Sequence, residues 1–385
     1  MGVYQDLEVT PVINACGYVT RFSGSLMLPE VAQAMLEASR EYVSMSELQL
    51  AAGAMIADFT GAESGYVTSG AAAGLTLAAA ACIAGTDRDS IARLPDTGLA
   101  PHEIVIPGPH RDSYDRCFRL AGARIVSAGT PALCTATDLA AAITSSNAAV
   151  AWFSAYEPNS LSLAEVVEIA HAAGTRVIVD AAVALPPPEN LRRFVQTGAD
   201  LVSFSGGKDL RGPQTTGFLA GKRDLIESVA LQHQDFAAYT GTWDPESEYL
   251  GPGHGIGRPM KVGKEELAGL LVALRIYVER DHEAEDRRQA TEARMVAERL
   301  AGLPGIALEV GRSHTPGHFV RVTVDAGVVG RDAAALAAVL ASGKPRIMVA
   351  PEFFNEAHVF TIGFATLQPG EAEIIAERVR SALAG

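Results

Sequence analysis

The chain has 385 residues, a formal net charge of −14 and 48% hydrophobic residues. A chain of this length can bury a large core, and we expect one large domain and a smaller one. The acidic balance and the absence of any basic run disfavour nucleic-acid binding, because contacts to phosphates require a basic face.

The N-terminal stretch "MGVYQDLEVTPVIN" lacks the basic start and apolar core of a signal peptide. The run "AAAGLTLAAAACIAG" is shorter than the ~20 residues that span a bilayer, so it predicts a buried helix. The four cysteines show no CxxC spacing, which indicates reduced thiols and no metal site. We therefore predict a cytoplasmic protein that does not bind membranes.

Through the middle of the chain, short β-branched runs alternate with helical ones. The predicted strands are 103–106, 123–128, 148–155, 176–180 and 200–205. Their continuous apolar character is typical of strands covered on both faces, and the alternation with helices predicts a mainly parallel sheet. The segment 86–103 is interpreted as an insertion loop.

After Gly263 the pattern predicts one long amphipathic helix that ends near Gly302. Shorter strands and helices follow, which is typical of a compact α+β unit. The predicted division is an N-terminal arm at 1–50, a large domain at 51–262, and a linking helix with a small domain at 263–385.

Three features follow predicted strand ends, where open α/β sheets bind ligands. A small-residue helix begins after Thr68, Asp180 ends the strand "RVIVD", and Lys208 follows the strand "LVSFS". A helix start can hold a phosphate, an acid can keep a pyridine nitrogen protonated, and a lysine amine can form a Schiff base. Together they predict a pyridoxal 5'-phosphate site.

The motifs resemble a known family. They are "VINACGYVTRFSGSLM", "YVTSGAAAG", "GPHRDSYDRCFRLAGA", "VIVDAA", and "SGGKDLRGPQTTGFLAG", whose pattern SGGKxLxGPQxxG is specific. The chain is similar to fold-type I pyridoxal-phosphate enzymes of the branch that contains selenocysteine synthase and D-glucosaminate-6-phosphate ammonia-lyase. This resemblance implies a mainly parallel seven-stranded sheet sandwiched by helices, a smaller C-terminal α+β domain, and a homodimer or larger assembly.

The resemblance also implies roles for individual residues. Lys208 would form the Schiff base and Asp180 would pair with the pyridine nitrogen. His110 would lie over the cofactor ring and reach a substrate proton. The phosphate would be held by four residues: Ser69, Gly70, Ala71 and Ser205.

Contacts to the substrate are expected from the N-terminal arm and from a later loop. The candidates are Asn14 and Arg21 in the arm and Arg258 in "GRPMK", with a salt bridge or helix-entry charge as the alternative for the arginines. His254 is interpreted as an ordinary loop residue. In the small domain, Ala350 takes the place where the family carries an arginine for the substrate carboxylate, so Arg346 or Arg321 is expected to substitute.

The reaction class follows from the resemblance. It favours removal of the Cα proton and β-elimination from a small β-substituted amino acid, which yields a 2-keto acid and ammonia. A racemase, epimerase or aldolase would use the same lysine and stays an alternative. A homologue that binds the cofactor without turnover is the alternative from another class.

Overall fold

The computed structural model describes residues 2–233, 255–313, 317–350 and 358–384. The strands are β1 Val12–Asn14, β2 Ser64–Thr68, β3 Glu103–Pro107, β4 Arg124–Ala128, β5 Asn147–Phe153, β6 Arg176–Asp180, β7 Leu201–Ser205, β8 Gly217–Gly221, β9 Ile306–Arg312, β10 His318–Val324, β11 Arg346–Met348 and β12 Val359–Gly363. The helices are α1 Val3–Asp6, α2 Pro29–Ala38, α3 Met45–Thr60, α4 Ala71–Ala84, α5 Arg88–Arg93, α6 Asp115–Leu120, α7 Ala136–Ala142, α8 Leu163–Ala172, α9 Asn190–Thr197, α10 Arg223–His233, α11 Lys264–Glu279, α12 His282–Leu300, α13 Ala326–Val329, α14 Ala333–Ser342 and α15 Glu371–Ala384.

The larger of two compact units, Met27–Glu279, contains a seven-stranded sheet in its described residues. The strand order is β2-β8-β7-β6-β5-β3-β4, and only β8 runs antiparallel to its neighbours. The predicted mainly parallel sheet is thus confirmed, and each strand predicted in this region is present within two residues of its predicted ends.

The sheet has an apolar core on each face. One core contains Val67, Val105 and Val179, and the other contains Tyr66, Ile104 and Ile178, which are their neighbours in the same strands. Because successive side chains in a strand point to opposite faces, burial of both faces explains the continuous apolar runs of the sequence. The apolar run at α4 forms a buried helix, as predicted.

The smaller unit combines Met1–Leu26 with Arg280–Gly385. Its described strands form a parallel pair, β1 with β11, and an antiparallel sheet in the order β12-β10-β9. A separate core that includes Val296, Val320, Leu336 and Phe360 joins the helices α12, α14 and α15 to these strands. The C-terminal α+β unit is therefore confirmed, with the N-terminal residues added to it.

Three features differ from the sequence-based expectations. The single long helix predicted after Gly263 is two helices, because Asp281 adopts an extended conformation and its carboxylate accepts the Ala284 amide at 2.8 Å, which starts α12. The larger unit ends at Glu279 instead of 262, since α11 packs on α2. The predicted insertion loop contains the short helix α5.

No helix in the described ranges is long and apolar enough to cross a membrane. The same residues contain no cluster of His, Cys, Asp and Glu side chains that could hold a metal ion. None of the four cysteines, all of which lie in the described part of the chain, forms a disulfide.

A buried glutamine protects the free edge of the large sheet. Strand β2 is an edge strand, and its Val67 exposes an amide and a carbonyl on the side away from β8. The Gln49 side chain from α3 donates to the Val67 carbonyl and accepts the Val67 amide, both at 3.0 Å. Gln49 thereby replaces a missing neighbouring strand and fixes the strand that ends at Thr68.

We predict that Gln49→Ala lowers the free energy of unfolding by about 2–4 kcal/mol, because two buried backbone groups lose their partners. Urea unfolding of the purified protein measures this loss. Gln33→Ala is the matched control: Gln33 is exposed and its side chain donates to the Glu37 side chain, so we expect a change below about 0.5 kcal/mol. Equal effects of the two substitutions would contradict the role given to Gln49.

Candidate functional site

The sheet register brings the three predicted features to one edge. Strands β2 and β7 both run antiparallel to β8, and Thr68 and Ser205 both pair with Gly217. Asp180, at the end of β6, pairs with Ser203 of β7. The residues after Thr68, the Asp180 carboxylate and the turn that carries Lys208 therefore lie at the same carboxyl edge of the sheet.

The start of α4 is held tightly against the sheet. Gly70 precedes the helix with φ +108°, a conformation that favours glycine. The Ser203 hydroxyl donates to the Ala71 carbonyl at 3.0 Å, and the Thr68 hydroxyl donates to the Gly70 carbonyl at 2.9 Å. A Cβ on Gly217 would lie 2.7 Å from the Ala71 nitrogen, so only glycine permits this approach.

This arrangement presents the first amides of a 14-residue helix at the edge of the sheet. Such amides have no partners within the helix, and the helix dipole favours an anion beside them. Ser69 and Gly70 are half-buried, and Ala71 is buried. The geometry of these residues fits a bound phosphate group.

The turn around Lys208 explains the glycines and the Gly-Pro-Gln of the motif. The Gly206 amide donates to the Thr216 carbonyl at 2.8 Å, and the Gly212 amide donates to the Gly206 carbonyl at 2.9 Å. A Cβ on Gly207 would lie 2.4 Å from the side-chain oxygen of Gln214. Lys208, which is half-buried, is therefore fixed on a compact turn instead of a mobile loop.

Asp180 and Lys208 influence each other electrostatically. Burial raises the pKa of Asp180 to about 6, although the Ala182 amide, which donates to its carboxylate at 2.8 Å, and the positive charge of Lys208 oppose this change. Burial lowers the pKa of Lys208, and the negative charge of Asp180 opposes that change. Each charge thus offsets part of the cost of burying the other.

His110 lies in a 3₁₀ helix directly after β3, as the sequence indicated, but its side chain is 0% exposed. Its Nδ1 accepts the Phe153 amide at 3.0 Å, which leaves the proton of the neutral ring on Nε2. Burial lowers the pKa of His110 to about 4, so the ring is neutral at pH 7. A contact between His110 and the ring of a bound cofactor stays a prediction.

Three residues that follow strands at this edge were not identified from the sequence: Asp112, Tyr114 and Tyr156. Tyr156, which follows β5, donates its hydroxyl to Asp112 at 3.1 Å, and Asp112 accepts the Tyr114 amide at 2.6 Å. The pKa of Asp112 is raised, mainly by burial, and the charge of Asp112 contributes to the raised pKa of Asp180. Their position after the strands β3 and β5 is the signal that was available in the sequence.

The residues predicted to contact the substrate belong to different units. Asn14 and Arg21 belong to the smaller unit: the Asn14 side chain donates to the Gly17 carbonyl at 2.9 Å, and Arg21 is exposed with its guanidinium 4.8 Å from the Phe22 ring centroid. Arg258 is half-buried in the larger unit. Their contacts to a substrate stay predictions, and His254 lies outside the described residues.

The arginines that were expected to replace the family's arginine also lie in the smaller unit. Arg346 is exposed at the start of β11. Arg321 donates to Glu309 at 2.7 Å across the strand pair β9–β10. Ala350 is buried and forms a backbone bridge to Thr361.

Comparison with known proteins identifies the family. The family model described as L-seryl-tRNA selenium transferase (SelA) matches residues 12–236, more than half of the chain. The chain belongs to the SelA family. It is 26% identical over 302 residues to L-seryl-tRNA(Sec) selenium transferase of Moorella thermoacetica, an alignment that covers 70% of this chain and 56% of that protein.

Two other curated relatives are more similar to this chain than the selenium transferase is. The 5'-C-glycyluridine monooxygenase-decarboxylase of Streptomyces sp is 37% identical over 355 residues, which cover 89% of this chain and 83% of that protein. The D-glucosaminate-6-phosphate ammonia lyase of Salmonella typhimurium (strain 14028s / SGSC 2262) is 32% identical over 387 residues, which cover 98% and 97% of the two proteins.

Solved structures agree with this assignment. A structure of D-glucosaminate-6-phosphate ammonia-lyase has a TM-score of 0.84 at 32% identity and covers 100% of this chain and 98% of that chain. A cysteine desulfurase from Thermococcus onnurineus NA1 has a TM-score of 0.61 at 18% identity, with 97% and 95% of the chains covered. The fold is therefore that of the fold-type I pyridoxal-phosphate enzymes.

The raised pKa of Asp180 predicts a pH-dependent stability of the cofactor-free protein. A carboxyl group whose pKa is about 6 when folded and 3.8 when unfolded binds its proton more tightly in the folded state. Its contribution to stability is therefore present at pH 4 and is lost as the pH rises to about 6. Asp180→Asn keeps an acceptor for the Ala182 amide but does not ionise.

We compare the free energy of unfolding of Asp180→Asn with that of wild type at each pH. We expect the difference, variant minus wild type, to increase by about 1–3 kcal/mol as the pH rises from 4 to 7. Urea unfolding of both cofactor-free proteins at pH 4, 5, 6 and 7 measures this difference. Groups that titrate in both proteins cancel in the comparison. A constant difference between the two proteins across this range would show that Asp180 does not titrate as described.

Proposed function

We propose that this chain is a pyridoxal-phosphate-dependent lyase of the ammonia-lyase type. It would remove the Cα proton and a β-substituent from a small β-substituted amino acid, giving a 2-keto acid and ammonia. The observation that carries the proposal is the common edge that joins the Lys208 turn, Asp180 and the start of α4. The 32% identity to an ammonia lyase over 98% of the chain supports it.

The residues at this edge fit pyridoxal phosphate. The amides at residues 69–71 would hold the phosphate, and Ser205, half-buried at the end of β7, would add a hydroxyl. The Asp180 carboxylate would accept a hydrogen bond from the protonated pyridine nitrogen. Lys208 would hold the aldehyde carbon. When bound, the cofactor stabilises negative charge at the Cα of an attached amino acid.

Lys208 has two tasks in this proposal. Its amine would hold the aldehyde of the cofactor and, in its free form, would take the proton from Cα of the substrate. Burial lowers the pKa of Lys208, which increases the share of neutral amine available to accept a proton. Asp180 keeps its charge beside the protonated ring nitrogen, because that positive charge favours its ionised form.

The remaining steps balance without an oxidant. The β-substituent departs with the electron pair of its bond to Cβ, and a hydroxyl leaves as water after it takes a proton. The released enamine adds water and loses ammonia to give the 2-keto acid. The substrate is small and amino-acid-like, and its carboxylate contact is proposed to come from Asn14, Arg21, Arg258 or Arg346.

A second candidate reaction is favoured by one comparison. The relative named as a monooxygenase-decarboxylase is 37% identical over 89% of the chain. An oxidative decarboxylation would use the same lysine and acid but would consume dioxygen and release carbon dioxide. Oxygen consumption and carbon dioxide release therefore separate it from elimination, which requires neither.

The test of function is a panel of D- and L-amino acids that carry a β-substituent, with 2-keto acid measured by a coupled dehydrogenase. We expect keto acid and ammonia in equal amounts, without oxygen uptake. Lys208→Ala should lose the visible absorbance of the bound cofactor and at least 1,000-fold in rate, on the order of the loss of a catalytic nucleophile. Lys222→Ala is the control, since the Lys222 side chain is 45% exposed and pairs with Glu63.

The outcomes of this panel separate the alternatives. Inversion of the substrate's stereochemistry without keto acid would indicate a racemase instead of a lyase. Release of an aldehyde would indicate an aldolase. Cofactor binding without turnover on the whole panel would favour the homologue that does not catalyse. A Lys208→Ala protein with unchanged absorbance and rate would contradict the site itself.

We also propose a homodimer or larger assembly that works in the cytoplasm. In the larger unit, exposed large apolar side chains concentrate before residue 51: Met27, Leu36, Tyr42, Val43, Met45 and Leu50. Tyr42 is 101% exposed, and such a concentration of apolar surface is typical of protein–protein contacts. The four cysteines, none of them in a disulfide, are compatible with a reducing compartment.

Light scattering coupled to size exclusion tests the assembly. We expect a mass at least twice the 40.3 kDa of one chain. Replacing Tyr42 and Val43 with serine should shift the mass distribution toward the monomer, because two exposed apolar side chains are removed. A wild-type protein that elutes only at 40.3 kDa would contradict the proposed assembly.

A further inference from the structure

Two buried hydroxyl groups hold the start of α4 from behind. Thr68, the last residue of β2, and Ser203, in the middle of β7, are both 0% exposed, so in this conformation neither side chain is open to a bound molecule. The Thr68 hydroxyl donates to the Gly70 carbonyl at 2.9 Å, and the Ser203 hydroxyl donates to the Ala71 carbonyl at 3.0 Å. Two successive carbonyls at the helix start are therefore held from two different strands.

The helix itself does not require the Thr68 hydroxyl. The Gly70 carbonyl already accepts the Gly74 amide at 3.0 Å, which is the ordinary bond within the helix, so the hydroxyl is a second donor to the same oxygen. Position 74 also makes room for the other hydroxyl, because a Cβ on Gly74 would lie 2.5 Å from the Ser203 oxygen. The close packing of this helix start thus accommodates two hydroxyls that do more than complete the helix.

Each of the two carbonyls shares a peptide unit with an amide at the helix start. The planar trans peptide joins the Gly70 carbonyl to the Ala71 amide and the Ala71 carbonyl to the Ala72 amide, with the N–H pointing opposite to the C=O. A donor at the oxygen polarises the peptide unit and strengthens the hydrogen bond that its N–H can donate. These two amides lie in the first turn, where they have no partner within the helix, and Ala72 is exposed.

The strand register relates Ser203 to the proposed phosphate contact. Ser203 and Ser205 are two residues apart in β7, so their side chains lie on the same face of the sheet. Ser203 is fully buried, whereas Ser205 is half-buried at the end of the strand. Ser205 would therefore contact the phosphate directly, while Ser203 would act one layer behind it, through the Ala71 carbonyl.

We infer that Thr68 and Ser203 are positioning residues that increase the affinity of the site for the phosphate group, because they fix and polarise the first two peptide units of α4. This inference rests on the proposed cofactor site. It assigns a role in binding to two side chains that would not touch the cofactor. The binding of the pyridine ring, proposed to involve Asp180 and Lys208, would not depend on either hydroxyl.

Equilibrium binding of two probes to the cofactor-free protein tests the inference: pyridoxal phosphate, and pyridoxal, which lacks the phosphate. Ser203→Ala and Thr68→Val each remove one hydroxyl and are expected to weaken binding of pyridoxal phosphate by roughly 3- to 10-fold, the range of one net hydrogen bond. Binding of pyridoxal should stay within about 2-fold of wild type, since no hydrogen bond to a phosphate is affected. Thr68→Ser keeps the hydroxyl and should restore the binding of pyridoxal phosphate.

Ser228→Ala is the matched control. Ser228 is also 0% exposed, and its hydroxyl donates to the carbonyl of Gly85, at the opposite end of the same helix. We expect both Ser203→Ala and Ser228→Ala to lower the melting temperature, because each removes a buried hydrogen bond of α4. Only Ser203→Ala should weaken the binding of pyridoxal phosphate.

Three results would overturn the inference. The first is a folded Ser203→Ala or Thr68→Val protein that binds pyridoxal phosphate like wild type. The second is an equal loss of affinity for pyridoxal and pyridoxal phosphate, and the third is the same loss in Ser228→Ala, since both would indicate a general loosening of the site. If Ser203→Ala does not fold, the comparison of Thr68→Val with Thr68→Ser decides. Failure of the wild-type protein to bind pyridoxal phosphate would instead overturn the proposed function.

Discussion

The proposed site depends on one pair of opposite charges, the Asp180 carboxylate and the Lys208 amine, at the carboxyl edge of a buried sheet. Burial alone raises the pKa of the acid and lowers the pKa of the amine, so each group alone would favour its neutral form. Their mutual attraction opposes both changes. In the proposed site the acid would keep a charge beside a pyridinium, and the lowered pKa of Lys208 would increase the share of neutral amine that can act as a base.

The rest of the larger unit fixes these groups by close backbone packing. Gly217 lets β8 approach the start of α4, and the Ser203 hydroxyl joins that helix start to β7. At the free edge of the sheet, Gln49 holds β2 in place of a further strand. The start of α4 and the turn that carries Lys208, which are far apart in sequence, are thereby held in one framework.

The sequence was informative wherever one local signal determined the structure. Continuous β-branched runs predicted the parallel strands, and the small-residue run at α4 predicted a buried helix. The break at Asp281 was missed, because helical periodicity continues on both sides and only the cap of α12 marks it.

Residues that act through tertiary contacts could not be found in this way. Gln49 meets Val67 across 18 residues, and Asp112 meets Tyr156 across 44, so no spacing in the sequence indicates either pair. His110 was placed correctly after its strand, but its burial depends on Trp152 and Tyr156. Position along the chain predicted the edge of the sheet, whereas exposure at that edge required the packed structure.

The central claim is that Lys208 holds the cofactor, and peptide mapping tests it most directly. The wild-type protein is loaded with pyridoxal phosphate, reduced with borohydride, digested and analysed by mass spectrometry. We predict a phosphopyridoxyl group on Lys208 and none on Lys222, whose side chain pairs with Glu63. Modification at another lysine in place of Lys208, or no modification of the loaded protein, would contradict it.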